Sequence, residues 1–173
     1  LNEKKIFFAR DSAGEKPLYL CFNKLFICAS SDLNAIKNIP GFKKNINKSV
    51  LSEYLKYNYI PSPNTIFENT FKLPPASYIE LDLKLYKFKE LKNFNVVKEE
   101  NSIKFIKWWN IDKNKKDLSN LDNIEIKNIF HDMLFNSVKS QLISDVPLGA
   151  FLSSGIDSSL IVSMMQKIQS NTK

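Results

Sequence analysis

At 173 residues the chain holds one domain or parts of two, and with 43% hydrophobic residues, 13 Phe and 6 Tyr it has the material for a buried core. No apolar run approaches the ~18 residues that a membrane-spanning helix needs, and no secretory signal opens the sequence. The net charge of +7 comes from scattered lysines with a single arginine, Arg10. Surfaces that read phosphate use arginine forks as well, so the charge is read as a drift toward Lys, Asn and Ile and not as a nucleic-acid interface.

The sequence starts at Leu1, and "KKIFFARD" reads as the middle of a strand, so a piece cut at both ends is expected. Residues 5–9 predict a strand, and "RDSAGEKP" predicts a turn punctuated by Gly14 and Pro17. "PLYLCFNKLFICAS" predicts a hairpin turning near Asn23-Lys24, with Cys21 and Cys28 on its two arms. An intracellular chain keeps thiols reduced, so both cysteines read as inert core residues rather than a disulfide. "SDLNAIKNI" predicts a short helix capped by Ser31 or Asp32. "SVLSEYLKYNYI" puts Val50, Leu51, Tyr54 and Leu55 on one helical face. "PSPN" at 61–64 forces an extended break. "KLPPASYIELDL" passes from a proline turn into a strand, where Tyr78, Glu80 and Asp82 alternate with Ile79, Leu81 and Leu83. Residues 84–106 carry weaker strand signals, and "KWWN" at 107–110 is an aromatic knot.

Residues 111–121 are polar and predict a linker. Asp122 with Glu125 has the spacing of a capping box, followed by a long helix. Ile126, Ile129, Phe130, Met133, Leu134, Val138 and Leu142 form its apolar stripe. "VPLGAFL" then reads as a continuously apolar strand, buried on both faces in a parallel sheet whose other strands are missing. A second helix follows. On this reading residues 123–173 do not fold well alone. No metal-ligand spacing is present, and the single histidine, His131, falls inside the predicted helix, where a structural role is the plainer one.

Between that strand and the last helix stands "SSGIDSS", residues 153–159. A strand, a loop of small residues and a helix N-terminus make an anion site, because the first amides of a helix are unpaired and carry partial positive charge. Gly155 lets a backbone approach phosphate closely. Ser153, Ser154, Ser158 and Ser159 offer hydroxyl donors. Asp157 repels phosphate unless a Mg²⁺ lies between them. Without further motifs, the same residues also read as a serine-rich cap with Asp157 favoured by the helix dipole.

The loop resembles the S-G-G-x-D-S pyrophosphate loop of the ATP pyrophosphatases. With its flanks, "SDVPLGAFLSSGIDSSL" is similar to the glutamine-dependent asparagine synthetases. "FFARDSAGEKPLYL", "FICASSDLNAI", "LSEYLKYNYIPSPNTIFENTFKLPPASYIELD" and "KWWN" resemble further segments of that family, in the family's order. The resemblance implies an α+β N-terminal-nucleophile glutaminase in its C-terminal half, residues 1–110. A linker, 111–122, leads to the start of an α/β ATP-pyrophosphatase domain of the adenine nucleotide alpha hydrolase-like kind, residues 123–173. It implies ATP and Mg²⁺, with Phe151, Leu152, Ser153, Ser154, Gly155, Asp157, Ser158 and Ser159 at the nucleotide and Asp157 on the metal. Phe151 reads equally well as core.

The implied chemistry is adenylation of aspartate to a β-aspartyl-adenylate. Ammonia from glutamine then travels through a tunnel and displaces AMP. The family's glutaminase nucleophile is an N-terminal Cys, which is expected upstream of Leu1. This chain is therefore expected to hold no catalytic residue and to be inactive alone. The implied partners are small molecules, aspartate, glutamine and ATP, in the cytoplasm, with neither nucleic acid nor membrane, and a homodimer is left open. Other carboxylate acceptors, a sugar acid or a β-lactam precursor, and a non-catalytic remnant are the alternatives. Two departures stand out. Ser154 replaces the loop's first glycine, which strains the backbone if that position needs a positive φ. Asp32 stands where the family usually has Glu.

Overall fold

A computed structural model describes residues 4–94, 102–115 and 117–170. The chain divides into two compact units, residues 1–115 and 116–173.

The first unit is built on two antiparallel three-stranded sheets. One has the order β1 (Lys5–Ala9), β5 (Ser77–Asp82), β6 (Ile103–Lys107), and the other β3 (Ile27–Ser30), β2 (Tyr19–Phe22), β4 (Thr70–Lys72). In β5 the expected alternation holds: Ser77, Ile79 and Leu81 are buried while Tyr78, Glu80 and Asp82 are half-exposed. A single slip of register would send every one of those side chains to the other face. Pairing of Ile6 with Leu81 and Ile79 with Phe105 fixes β5 in the middle of its sheet. Leu20, Phe22, Phe71 and Leu73 join Ile79, Leu81 and Ile103 in one core cluster, so the apolar faces of both sheets share it. Each large apolar side chain fully buried there contributes about 1.5–3 kcal/mol.

The hairpin forms as read, with Cys21 opposite Cys28. Its turn runs from Asn23 to Phe26, where the Asn23 Oδ1 accepts the amides of Leu25 (2.7 Å) and Phe26 (2.8 Å). Asp32 caps α1 (Leu33–Lys37). A 3₁₀ turn at Lys48–Val50 leads into α2 (Leu51–Tyr57), but the predicted apolar face does not bury. Val50 is inserted, whereas Leu51, Tyr54 and Leu55 are exposed. A two-turn helix lying on the surface offers the core little more than the residue at its root. "PSPN" forms a turn, with the Asn64 amide donating to the Pro61 carbonyl and a cis peptide between Ser62 and Pro63, in place of an extended break. The weak strand signals of 84–106 resolve into β6, with residues 95–101 outside the described ones. Trp108 of "KWWN" is half exposed.

Arg10 explains the turn that follows β1. Its guanidinium donates to three carbonyls, Lys16 (2.9 Å), Leu73 (2.6 Å) and Gly14 (2.6 Å), tying the 10–17 loop to a segment 63 residues away. The Asp11 carboxylate accepts the Glu15 and Lys16 amides. Gly14 has a φ of +70°, and a Cβ there would lie 2.7 Å from Pro75 Cγ. The segment "ARDSAGEKP" is a structural clasp.

The second unit is a helical pair. Asp122 and Glu125 close a capping box on α3 (Asn123–Ser140), with the Asp122 Oδ1 accepting the Glu125 amide at 2.7 Å and the Glu125 Oε2 accepting the Asp122 amide at 3.0 Å. It packs on α4 (Ile156–Ser170) through Val138, Met164 and Ile168. Phe130 and Met133 of the expected stripe are exposed. The polar 111–121 stretch holds a 3₁₀ turn at Ile111–Asn114 just before the division between the units. No helix among the described residues is long and apolar enough to cross a membrane.

Candidate functional site

The loop "SSGIDSS" lies at the N-terminus of α4, after residues 142–155, which form neither helix nor strand. The strand expected at 146–152 is therefore absent. A strand exists by its ladder, and the described residues of this unit supply no second one. Phe151, offered as nucleotide border or as core, is fully exposed, and Leu152 is exposed too. Phe151 joins no core within the described residues.

The serines are held by one another. Ser153 Oγ and Ser158 Oγ lie 2.7 Å apart, and the Gly155 amide donates to Ser153 Oγ at 3.3 Å. Ser158 Oγ and Ser159 Oγ each donate back to the Gly155 carbonyl, at 3.1 and 2.9 Å. This network rounds the chain into the helix and leaves the amides of Ile156, Asp157 and Ser158 as its unpaired first-turn donors. Asp157 stands in that first turn, and its carboxylate makes no hydrogen bond or ion pair with any described residue. Ser154 is likewise unengaged. Among the described residues the positive-φ non-glycine positions are Lys4, Asn58, Asn69 and Ala76, so Ser154 stands in place of a glycine without backbone strain. Ser153, Ser154, Gly155, Asp157 and Ser159 are all exposed, with Ser158 half-buried.

Such a turn can hold an anion on its amides and dipole, with the Ser154 hydroxyl and one carboxylate at the rim. Among the described residues no cluster of three or more His, Cys, Asp or Glu is placed to hold a metal ion. A cation at Asp157 would need its remaining ligands from phosphate oxygens and water, which is how Mg²⁺ usually binds. The cavity beside the loop, about 390 Å³ and lined by Leu134, Val138, Leu142, Leu148, Ile161 and Met165, is apolar and unsuited to phosphate.

Neither cysteine of the first unit is poised as a nucleophile. Burial pushes the Cys21 thiol up, and burial together with the neighbouring Cys21 pushes the Cys28 thiol up to about 11. A nucleophilic cysteine needs the opposite shift. His131 sits exposed on α3, stacked on Phe135 with ring centres 6.0 Å apart and beside Asp132.

Residues 1–93 match the model of a glutamine amidotransferase domain, and residues 130–173 match that of asparagine synthase. A Methanocaldococcus jannaschii protein, provisionally named glutamine-hydrolysing asparagine synthetase 2, is 31% identical over 97% of this chain and 30% of its own length. Glutamine-hydrolysing asparagine synthetase 1 of Bacillus subtilis is 26% identical over 99% of this chain and 24% of its own length. Glutamine-hydrolysing asparagine synthetase B of Escherichia coli is 50% identical over 46 residues, 27% of this chain. The chain thus spans less than a third of the length of these relatives.

Proposed function

The chain belongs to the glutamine-hydrolysing asparagine synthetase family, and we propose that it works as the segment that joins that family's two chemistries. On this reading residues 1–110 are the later half of an N-terminal-nucleophile glutaminase and 123–173 open an α/β ATP-pyrophosphatase domain. The whole protein amidates aspartate in the cytoplasm. ATP adenylates the β-carboxylate, pyrophosphate leaves, and ammonia released from glutamine displaces AMP.

The observation that supports it is the unengaged Asp157 carboxylate on the same helical turn as three unpaired amides. The amides of 156–158 and the dipole of α4 bind the leaving pyrophosphate. Ser153, Ser158 and Ser159 shape the turn and turn a hydroxyl outward as phosphate arrives. Ser154 adds a donor that the family's glycine lacks. Asp157 holds Mg²⁺, which when bound neutralises the charge that develops on the phosphate oxygens. Phe151 and Leu152 border the nucleotide. The glutaminase nucleophile is neither Cys21 nor Cys28, whose thiols are held neutral.

The test uses the protein that carries this sequence, supplied with Mg·ATP and glutamine, with and without aspartate, while pyrophosphate and AMP are followed. Aspartate-dependent release of both, with asparagine formed, is expected. Asp157→Ala should lower that release by about a hundredfold or more, the loss typical of removing a group that stabilises transition-state charge. Unchanged turnover in Asp157→Ala would remove the metal role. Release without aspartate would keep the phosphate site and move the acceptor to another carboxylate. No release would favour a non-catalytic remnant.

A further inference from the structure

A second polar feature lies in the first unit, far in sequence from the α4 loop. Lys72 ends β4 and lines a cavity of about 200 Å³ whose walls are Tyr19, Tyr54, Tyr59, Ile60 and Ile66. Its ammonium sits 5.8 Å from the centre of the Tyr19 ring and donates to the Ile60 carbonyl at 3.3 Å. An ammonium has three donors, so two remain unspent against this aromatic wall. No described carboxylate forms an ion pair with Lys72. Glu53, which accepts a long hydrogen bond of 3.5 Å from Asn64 on the cavity wall, is not one either.

The charge beside it makes matters worse for Lys72. Burial and the Arg10 guanidinium hold the Lys72 amine below the ordinary lysine range. Arg10 spends its own donors on three neutral carbonyls. Neither cation forms an ion pair with a described carboxylate. A cation that has lost part of its water gains from a ligand that brings a negative charge.

We propose that this cavity is a binding site for a small carboxylate with a flat apolar body, its carboxylate on the Lys72 ammonium and its ring against Tyr19, Tyr54 and Tyr59. The carboxylate fills the two unspent donors with charge-assisted hydrogen bonds, which are about twice as strong as neutral ones. The aromatic walls take the apolar body in offset or edge-to-face contact. Two exposed tyrosine rims give a shallow site, so the binding is weak and reversible.

The experiment titrates the chain with phenylacetate and follows backbone amide shifts by NMR. Saturable shifts at Tyr59, Ile60, Ile66 and Lys72 are expected, and phenylacetamide should bind about tenfold more weakly, the discrimination one charge-assisted contact supplies. Lys72→Met should lose the same factor for phenylacetate while leaving phenylacetamide unchanged, and Lys72→Arg should retain binding. Failure of phenylacetate to shift these amides overturns the proposal. So does equal binding of acid and amide to the unmodified protein, a comparison that holds even if Lys72→Met unfolds.

Discussion

The two units spend similar sequence material to different ends. The first closes Leu20, Phe22, Leu73 and Leu81 into a core between sheets, all at 1% exposure or less. The second buries Val138, Met164 and Ile168 and leaves Phe130, Met133, Ile143, Phe151 and Leu152 in water. Apolar patterning is present in both, so the pattern does not decide burial. What decides it is whether an opposing surface exists: two sheets face a common core in one unit, while two helices in the other meet along a single seam. The proposed phosphate turn rides on the second, more lightly packed unit, and the Lys72 cavity on the first.

The sharpest way to break this contrast is to cut the same side chain from both units. Phe22→Ala should cost about 3–5 kcal/mol, the usual range for emptying a packed aromatic site. Phe151→Ala should stay within about 0.5 kcal/mol, as surface changes do. Both tryptophans, Trp108 and Trp109, lie in the first unit, so their fluorescence during urea unfolding reports Phe22→Ala, while far-ultraviolet circular dichroism follows the helices of the second unit and reports Phe151→Ala. A Phe151→Ala protein as damaged as Phe22→Ala would show that the exposed face is covered in solution.

A smaller change sharpens the contrast from the other side. The second unit leans on its capping box, because its seam is short. Asp122→Ala removes the acceptor for the Ile124 and Glu125 amides and should cost about 1 kcal/mol. The loss should appear in far-ultraviolet circular dichroism, since α3 and α4 supply most of the described helix. Tryptophan unfolding should not move. If it does, the units are energetically one.

Local signals account for what the sequence revealed. The alternation of β5, the hairpin opposing Cys21 and Cys28, the Asp32 cap and the Asp122–Glu125 box each need only a few neighbouring residues, and each formed. The failures needed a distant partner. The apolar segment 146–152 reads as a strand but meets no ladder, and α2 presents Tyr54 and Leu55 to water although its spacing is helical. Arg10 reads as part of a turn, and nothing local shows that its Nη1 reaches Leu73. Lys72 gives no signal in "FKLPPA", because its aromatic surroundings come from segments 13 to 53 residues away in the chain. The α4 loop was legible as a motif, and the absence of strain at Ser154 was not, since a φ value depends on how the whole turn closes.

The mildest test is chemical and confined to the first unit, which holds both cysteines. Cys28 has its thiol pushed from 9.0 up to about 11, first by burial and then by Cys21. Its thiolate population below pH 9 is then about a hundredfold smaller than in the unfolded chain, and alkylation by iodoacetamide should slow by about tenfold or more, because the more basic thiolate is also the better nucleophile. The linkage sign follows from the raised value. The folded state keeps its proton longer than the unfolded one, so the stabilisation is complete below pH 9 and is lost as pH rises through about 11. The quantity to measure is the difference between the unmodified protein and Cys28→Val, which isolates this thiol from every other group. That difference should stay flat to pH 9 and then shift in favour of the valine protein, whose side chain has no proton to lose. A difference that stays flat to pH 11 would mean that the thiol is as open to water folded as unfolded. The hairpin face would then belong with the exposed surfaces of the second unit rather than with the core of the first.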